Sequence, residues 1–214
     1  MASVAFVGAE VPGVSAALHA GELTMGLVPP KDLRFHVREA VLTAGARRIG
    51  HGVDILYEDD PYGLMAEMVK RGVMVEILLT SNDVILDVVG EDHPFETYRT
   101  MGVATALSTD DAGVSRIDLT HEFTRAVRTY DLGYADVKEL ARNSLTYAFV
   151  SGESLWQEPA TAVVVAACAK EALGAEKPGK ACESFLGGSE KARLQWRLER
   201  DFAAFEASWP TNRP

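Results

Sequence analysis

Positive charge is scarce in this sequence: 21 Lys and Arg stand against 31 Asp and Glu, a formal net charge of −10. That balance argues against a nucleic-acid partner, because a strongly acidic chain repels phosphate backbones. Long apolar runs are missing too. The longest uncharged small-apolar stretch, Ala160 to Ala169, is half of the roughly 20 residues a membrane span needs, so no membrane partner is expected. The start, Met1-Ala2-Ser3-Val4, has no basic n-region, and Glu10 interrupts any apolar core, so no secretory leader is legible. As written, the chain is expected in the cytoplasm, with a periplasmic or secreted location open to a longer parent. Cysteine is limited to Cys168 and Cys182. They are either two unrelated small hydrophobes or a local disulfide, which would imply an oxidising compartment.

What is present is ordinary globular material. Hydrophobic residues make up 47% and charged residues 24% of the 214 positions, which rules out a disordered chain. Short apolar runs alternate with amphipathic stretches. Strands are predicted at Gly13 to His19, Arg47 to His51, Val73 to Leu79 and Val103 to Ser108. Helices are predicted over 31–45, 61–71, 93–101, 119–130 and 134–149. In the first of these, Leu33, Val37, Val41 and Leu42 share a face and Gly45 ends it. Such βα alternation demands a parallel sheet with helices outside. After residue 150 the character changes. A small-residue helix is expected over 160–173, and Ser189 should cap a helix running to about Trp209 with Leu194, Leu198, Phe202 and Phe205 on one face. The expected organisation is a partial barrel over residues 1–155 and helices packed on it over 156–214.

The polar residues at strand ends carry the chemistry. His19, His51, Ser81 and Asp110 follow one another at steps of 32, 30 and 29 residues. In a β/α barrel, residues at the carboxyl ends of the strands share one rim, and that rim is the active site. His19-Ala20-Gly21-Glu22 offers an imidazole able to bind a metal and a carboxyl beside it able to move a proton. Alone, such a pair is usually a structural hydrogen bond. Arg48-Ile49-Gly50-His51-Gly52 sets a histidine between glycines, where backbone or ligand can approach closely. Ser108-Thr109-Asp110-Asp111 offers two adjacent carboxylates, costly when buried unless a cation compensates them; a solvated turn reads equally well there. Together the three form a hydrolytic constellation around a divalent metal.

These motifs, with Thr80-Ser81-Asn82 and Asn143-Ser144, resemble in order and spacing the C-terminal half of the adenosine deaminase family, in the metal-dependent amidohydrolase superfamily. The resemblance covers roughly residues 12–155. It implies strands five to eight of a (β/α)8 TIM barrel holding one zinc, followed by a C-terminal helical tail. It further implies that His19 and Asp110 ligate Zn2+ and that Glu22 protonates purine N1. His51 would orient, and help deprotonate, the attacking water. Asp111 would hydrogen-bond that water or purine N7, Gly21 would line the purine, and Ser81 would support the shell. The implied reaction is hydrolytic deamination of adenosine or 2′-deoxyadenosine. The tail, with Gly152-Glu153-Ser154-Leu155-Trp156 and Leu194-Gln195-Trp196, resembles an exported bacterial branch of the family. The His-x-Glu and Pro-Cys-x-x-Cys signature of the other zinc deaminases is absent.

One family element has no counterpart. The family takes two further zinc ligands from a His-x-His pair, and among the five histidines (19, 36, 51, 93 and 121) no two are separated by a single residue. His36 and His93 read as structural. Gly8-Ala9-Glu10 lies too close to His19 for a parallel crossover, so residues 2–11 are expected as the tail of a helix. The expectation is therefore a half barrel that binds metal weakly and associates with itself through open sheet edges. A catalytically inactive remnant, or an amidohydrolase with another amine substrate, stands beside the deaminase reading.

Overall fold

The computed structural model describes every residue except 2, 5, 7–9, 12, 159–161 and 210–214, so half of the helix expected over 2–11 lies outside the described residues. The chain divides into two compact units, Met1–Tyr147 and Ala148–Pro214. Among the described residues no helix is long and apolar enough to cross a membrane.

The first unit is α/β. Strands β1 (Ala17–Ala20), β2 (Arg48–His51), β3 (Met74–Ile77) and β4 (Ala104–Leu107) form one parallel sheet in sequential order. The register places Ala20 opposite His51, Gly50 opposite Glu76 and Ile77 opposite Leu107. These are four βα units of a (β/α)8 array, and every strand delivers its carboxyl end to the same side.

The connections show why. The stretch expected as one helix over 31–45 is broken into a 3-10 turn (Pro30–Leu33), helix α1 (His36–Arg38) and a π turn (Glu39–Thr43). Val37 and Val41 stay buried, whereas the π turn carries Leu42 outward. The Glu58 carboxylate holds this segment, accepting from Val37 N at 2.7 Å and Arg38 N at 3.1 Å. Helix α2 (Pro61–Arg71) begins on proline, where the missing N–H costs nothing, and stops at Gly72, whose φ of +62° suits glycine. The strand expected through Leu79 instead gives way at Leu78 to helix α3 (Leu79–Leu86), which the hydrophobic pattern does not predict. Its Thr80 N–H donates to the buried Glu122 carboxylate at 3.3 Å. Helices α4 (Phe95–Thr100), α5 (Ala112–Ser115), α6 (Leu119–Tyr130) and α7 (Tyr134–Thr146) follow. Asn143 of α7 donates to Thr105 O of β4 at 2.9 Å.

The core lies between sheet and helices. Ile49, Val75, Ile77 and Leu107 from the strands meet Val37, Leu64, Met68, Phe95, Tyr98 and Leu140. The opposite face of the sheet is more open: Ala17 and His19 are exposed, and Arg48, Gly50, Glu76 and Ala104 are half-buried. Arg48 and Glu76 pair across this face at 2.8 Å.

The second unit has its own core of Leu155, Trp156, Cys168, Cys182, Leu186, Ala192 and Trp196. Cys168 and Cys182 are disulfide-bonded. The helix expected over 160–173 does not form in its described part. Strand β6 (Val163–Val164) instead pairs antiparallel with β5 (Trp156–Glu158), and turns follow. Helices α8 (Lys180–Gly188) and α9 (Glu190–Ser208) complete the unit. Ser189 caps α9, accepting from Ala192 N at 3.1 Å. The buried face of α9 is Ala192, Gln195, Trp196 and Glu199, not the expected Leu194, Leu198, Phe202 and Phe205. Gln195 is the reason: its carbonyl accepts from Leu155 N at 2.7 Å, and its helix face turns inward to make that bond.

Candidate active site

The site sits where the four strands end. β1 leaves the sheet at Ala20, and Gly21 turns the chain with φ +75°. A Cβ at Gly21 would lie 2.5 Å from Asp54 Oδ1 and 2.8 Å from Val37 Cγ2, so only glycine fits. The turn brings Glu22 back over the strand, where its Oε2 lies 2.8 Å from His19 Nε2. The His19 side chain is 65% exposed and that of Glu22 15%, so this pair faces the open side of the rim.

His51 ends β2 with φ +73°, a conformation non-glycine residues rarely adopt, and Gly52 follows at φ +60°. Gly52 is held from both sides. Its N–H donates to Ala20 O at 2.9 Å, and its carbonyl accepts from the buried Tyr98 hydroxyl at 2.7 Å. This crank turns the His51 imidazole under the rim. Its ring centroid lies 4.2 Å from that of His19, and its Nδ1 lies 3.5 Å from Glu22 Oε1. Burial pushes the His51 pKa down; the Glu22 carboxylate opposes that shift and His19 adds to it.

Asp110 lies three residues past β4, with φ +53°. Its Oδ2 accepts from Ser81 Oγ at 2.7 Å and stands 4.0 Å from His51 Nε2. Ser81 thus sits in the first turn of α3 and steadies Asp110. Asp111 precedes α5, is exposed, and lies outside these contacts. A cavity of about 210 Å³ is lined by His19, Gly50, His51, Glu76, Ser108 and Asp110, among others. Among the described residues, His19, Glu22 and His51 bring a ligand atom each within 4.8 Å of one another. The expected ligand pair, His19 and Asp110, lines the same cavity, but Asp110 falls outside that tightest group.

Behind the rim lies a polar chain that motif spacing does not reveal. His51 Nδ1 is 2.9 Å from Asn82 Nδ2, and Asn82 Oδ1 is 3.1 Å from His93 Nε2. All three side chains are buried. Burial, with Arg125 nearby, pushes the His93 pKa down to about 4. His36 packs against Phe35, and His121 is exposed on α6.

The sequence profile of the family described as Adenosine deaminase matches residues 3–156. An adenosine deaminase from Clostridium perfringens is 35% identical over 145 residues, which are 66% of this chain and 40% of that protein. The chain therefore spans about two-fifths of the length of the curated relatives it matches. Among solved structures, the N6-mAMP deaminase of Arabidopsis matches with a TM-score of 0.51 and 29% identity, over 64% of this chain and 37% of that one. An amidohydrolase from Burkholderia ambifaria, solved with bound Zn, matches with a TM-score of 0.54 and 20% identity. That match covers 90% of this chain and 43% of its counterpart, and it speaks to the fold.

Proposed function

Since the chain belongs to the adenosine deaminase family, we propose that its rim is part of a purine aminohydrolase site that removes the 6-amino group of adenosine or 2′-deoxyadenosine as ammonia. We assign its four strands to positions five to eight of the barrel and the catalytic rim to the first of its two units. The observation that carries this reading is the convergence of Glu22, His51, His19 and Asp110 on one strand-end rim, with Ser81 bonded to Asp110.

The donors suit zinc in kind: an imidazole and a carboxylate, the carboxylate steadied by a hydroxyl behind it. In number they are short of the three or more protein ligands a zinc site ordinarily uses. His19 and Asp110 would hold the ion, which when bound brings the pKa of a coordinated water near 7. Glu22, fixed over His19 by the Gly21 turn, carries the proton that purine N1 takes up as the ring receives the attacking oxygen. Gly21, whose missing side chain makes room for Asp54 and Val37, would meet the purine only through its main chain. His51 orients the attacking water from beneath, and Asp111, at the open edge, accepts from that water or, when protonated, donates to purine N7. Hydrolysis adds water at C6 and expels ammonia, so protons are only moved between these groups. The Cys168–Cys182 bond supports an oxidising compartment. The outer edges of β1 and β4, which end the four-stranded sheet among the described residues, support self-association.

Zinc content of the purified 214-residue chain, measured alongside the change in purine absorbance with adenosine, tests the reading. Bound zinc with turnover supports a working site. Absence of both assigns the chain the role of an inactive remnant. In any form that turns over, Glu22→Gln should cost about 10²–10⁴ in kcat, the usual worth of a positioned acid, and leave zinc content unchanged. Unchanged turnover removes Glu22 from the mechanism.

A further inference from the structure

The buried chain behind the rim determines where one proton resides. Its far end is the Phe95 backbone N–H, which donates to His93 Nδ1 at 3.2 Å. A backbone amide can only donate, so His93 Nδ1 must accept. In neutral His93, the one ring proton is then on Nε2. That N–H donates to Asn82 Oδ1 at 3.1 Å and so fixes which way the amide points. The Asn82 NH2 must face His51, where it donates to Nδ1 at 2.9 Å. His51 Nδ1 is therefore an acceptor, and its proton is left on Nε2, on the side of Asp110. The reverse arrangement fails at each link. A proton on His51 Nδ1 requires Asn82 to turn over, a turned Asn82 requires a bare His93 Nε2, and a bare Nε2 puts the His93 proton against the Phe95 N–H.

We propose that His93 and Asn82 are positioning residues that hold His51 as its Nε2–H tautomer, so that His51 serves the rim as a hydrogen-bond donor and not as a base or a metal ligand. Using Nδ1 on a metal would break the Asn82 bond, and using Nε2 would displace the proton the chain places there. The tightest three-donor group of this structure thus loses one member. The geometry of the chain stands without the deaminase reading. Only the task of the Nε2–H, donating to the attacking water, rests on it.

The tautomer is read from the ring nitrogens. The full chain labelled with 15N-histidine, observed by long-range 1H–15N correlation at neutral pH, should show a protonated Nε2 and a bare Nδ1 for both His51 and His93. Spectra of His51→Gln and His93→Gln assign the two rings. Asn82→Asp replaces the donor facing His51 by a carboxylate and should draw a proton onto Nδ1. A protonated Nδ1 on His51 in the unsubstituted chain overturns the proposal, as does an unmoved His51 spectrum in a folded Asn82→Asp protein. If Asn82→Asp does not fold, the spectrum of the unsubstituted chain decides alone. Absence of deaminase turnover would overturn the functional reading and leave these nitrogen signals where they are.

Discussion

Asp54 shows how much a single residue behind the rim can cost. It is wholly buried, and neither carboxylate oxygen has a hydrogen-bond partner on another described residue. Burial, reinforced by Glu58, pushes its carboxyl up to about 7. An unfolded aspartate titrates near ~4. The folded state therefore holds this proton more tightly than the unfolded one, and the group's contribution to stability falls as pH rises from about 4 to about 7. Asp54→Asn removes the titrating proton and should flatten that slope, so that the variant does not share the loss of stability between about pH 4 and about pH 7. Thermal unfolding of both proteins across this pH range checks it, and parallel curves would place the titration elsewhere. The residue lies against Gly21, in the turn that carries Glu22, so this cost sits beside the candidate site.

At the scale of elements, local chemistry explains what the sequence made legible. Helix α2 matches its expected span because Pro61 opens it and Gly72 closes it, and α6 matches because Asp118 accepts from His121 N at its start. Helix α3 carries no such signal, since its first turn is held by Glu122, 42 residues away. The stretch 160–173 misled for another reason: its course answers to the strand just before it, β5, and to the bond between Cys168 and Cys182, 14 residues further on. The rim residues were legible because strand ends recur at a regular step. The partnership of Asn82 with His93 was not, because it depends on how two side chains meet across a loop. Ser189 was legible as a cap, and it does more than cap. Its hydroxyl also donates to Glu153 O at 2.6 Å, tying α9 to the chain before β5. Ser189→Ala should cost about 1 kcal/mol for the lost cap, read as a lower urea midpoint in tryptophan emission.

For the whole molecule, the division into two units means that two cores report separately. All three tryptophans, Trp156, Trp196 and Trp209, belong to the second unit, as does the disulfide. Reduction should therefore lower the tryptophan-detected stability by roughly 3 kcal/mol, the chain-entropy value for a loop of about 15 residues. An unmoved midpoint would show that the bond adds nothing. The first unit presents a different problem. Parallel sheets are ordinarily covered on both faces, and here one face carries exposed Ala17 and His19 beside an Arg48–Glu76 pair. Sedimentation velocity should detect association that grows with protein concentration, and a single monomer boundary at all concentrations would refute it.

The polar chain ending at Phe95 has a consequence for how such a site is mapped. Its last member acts through a main-chain amide, which every replacement except proline preserves. An alanine scan would attribute to residue 95 only the loss of a buried ring and overlook its electrostatic part. Exchange of that one amide for an ester, keeping the phenylalanine side chain, would expose it.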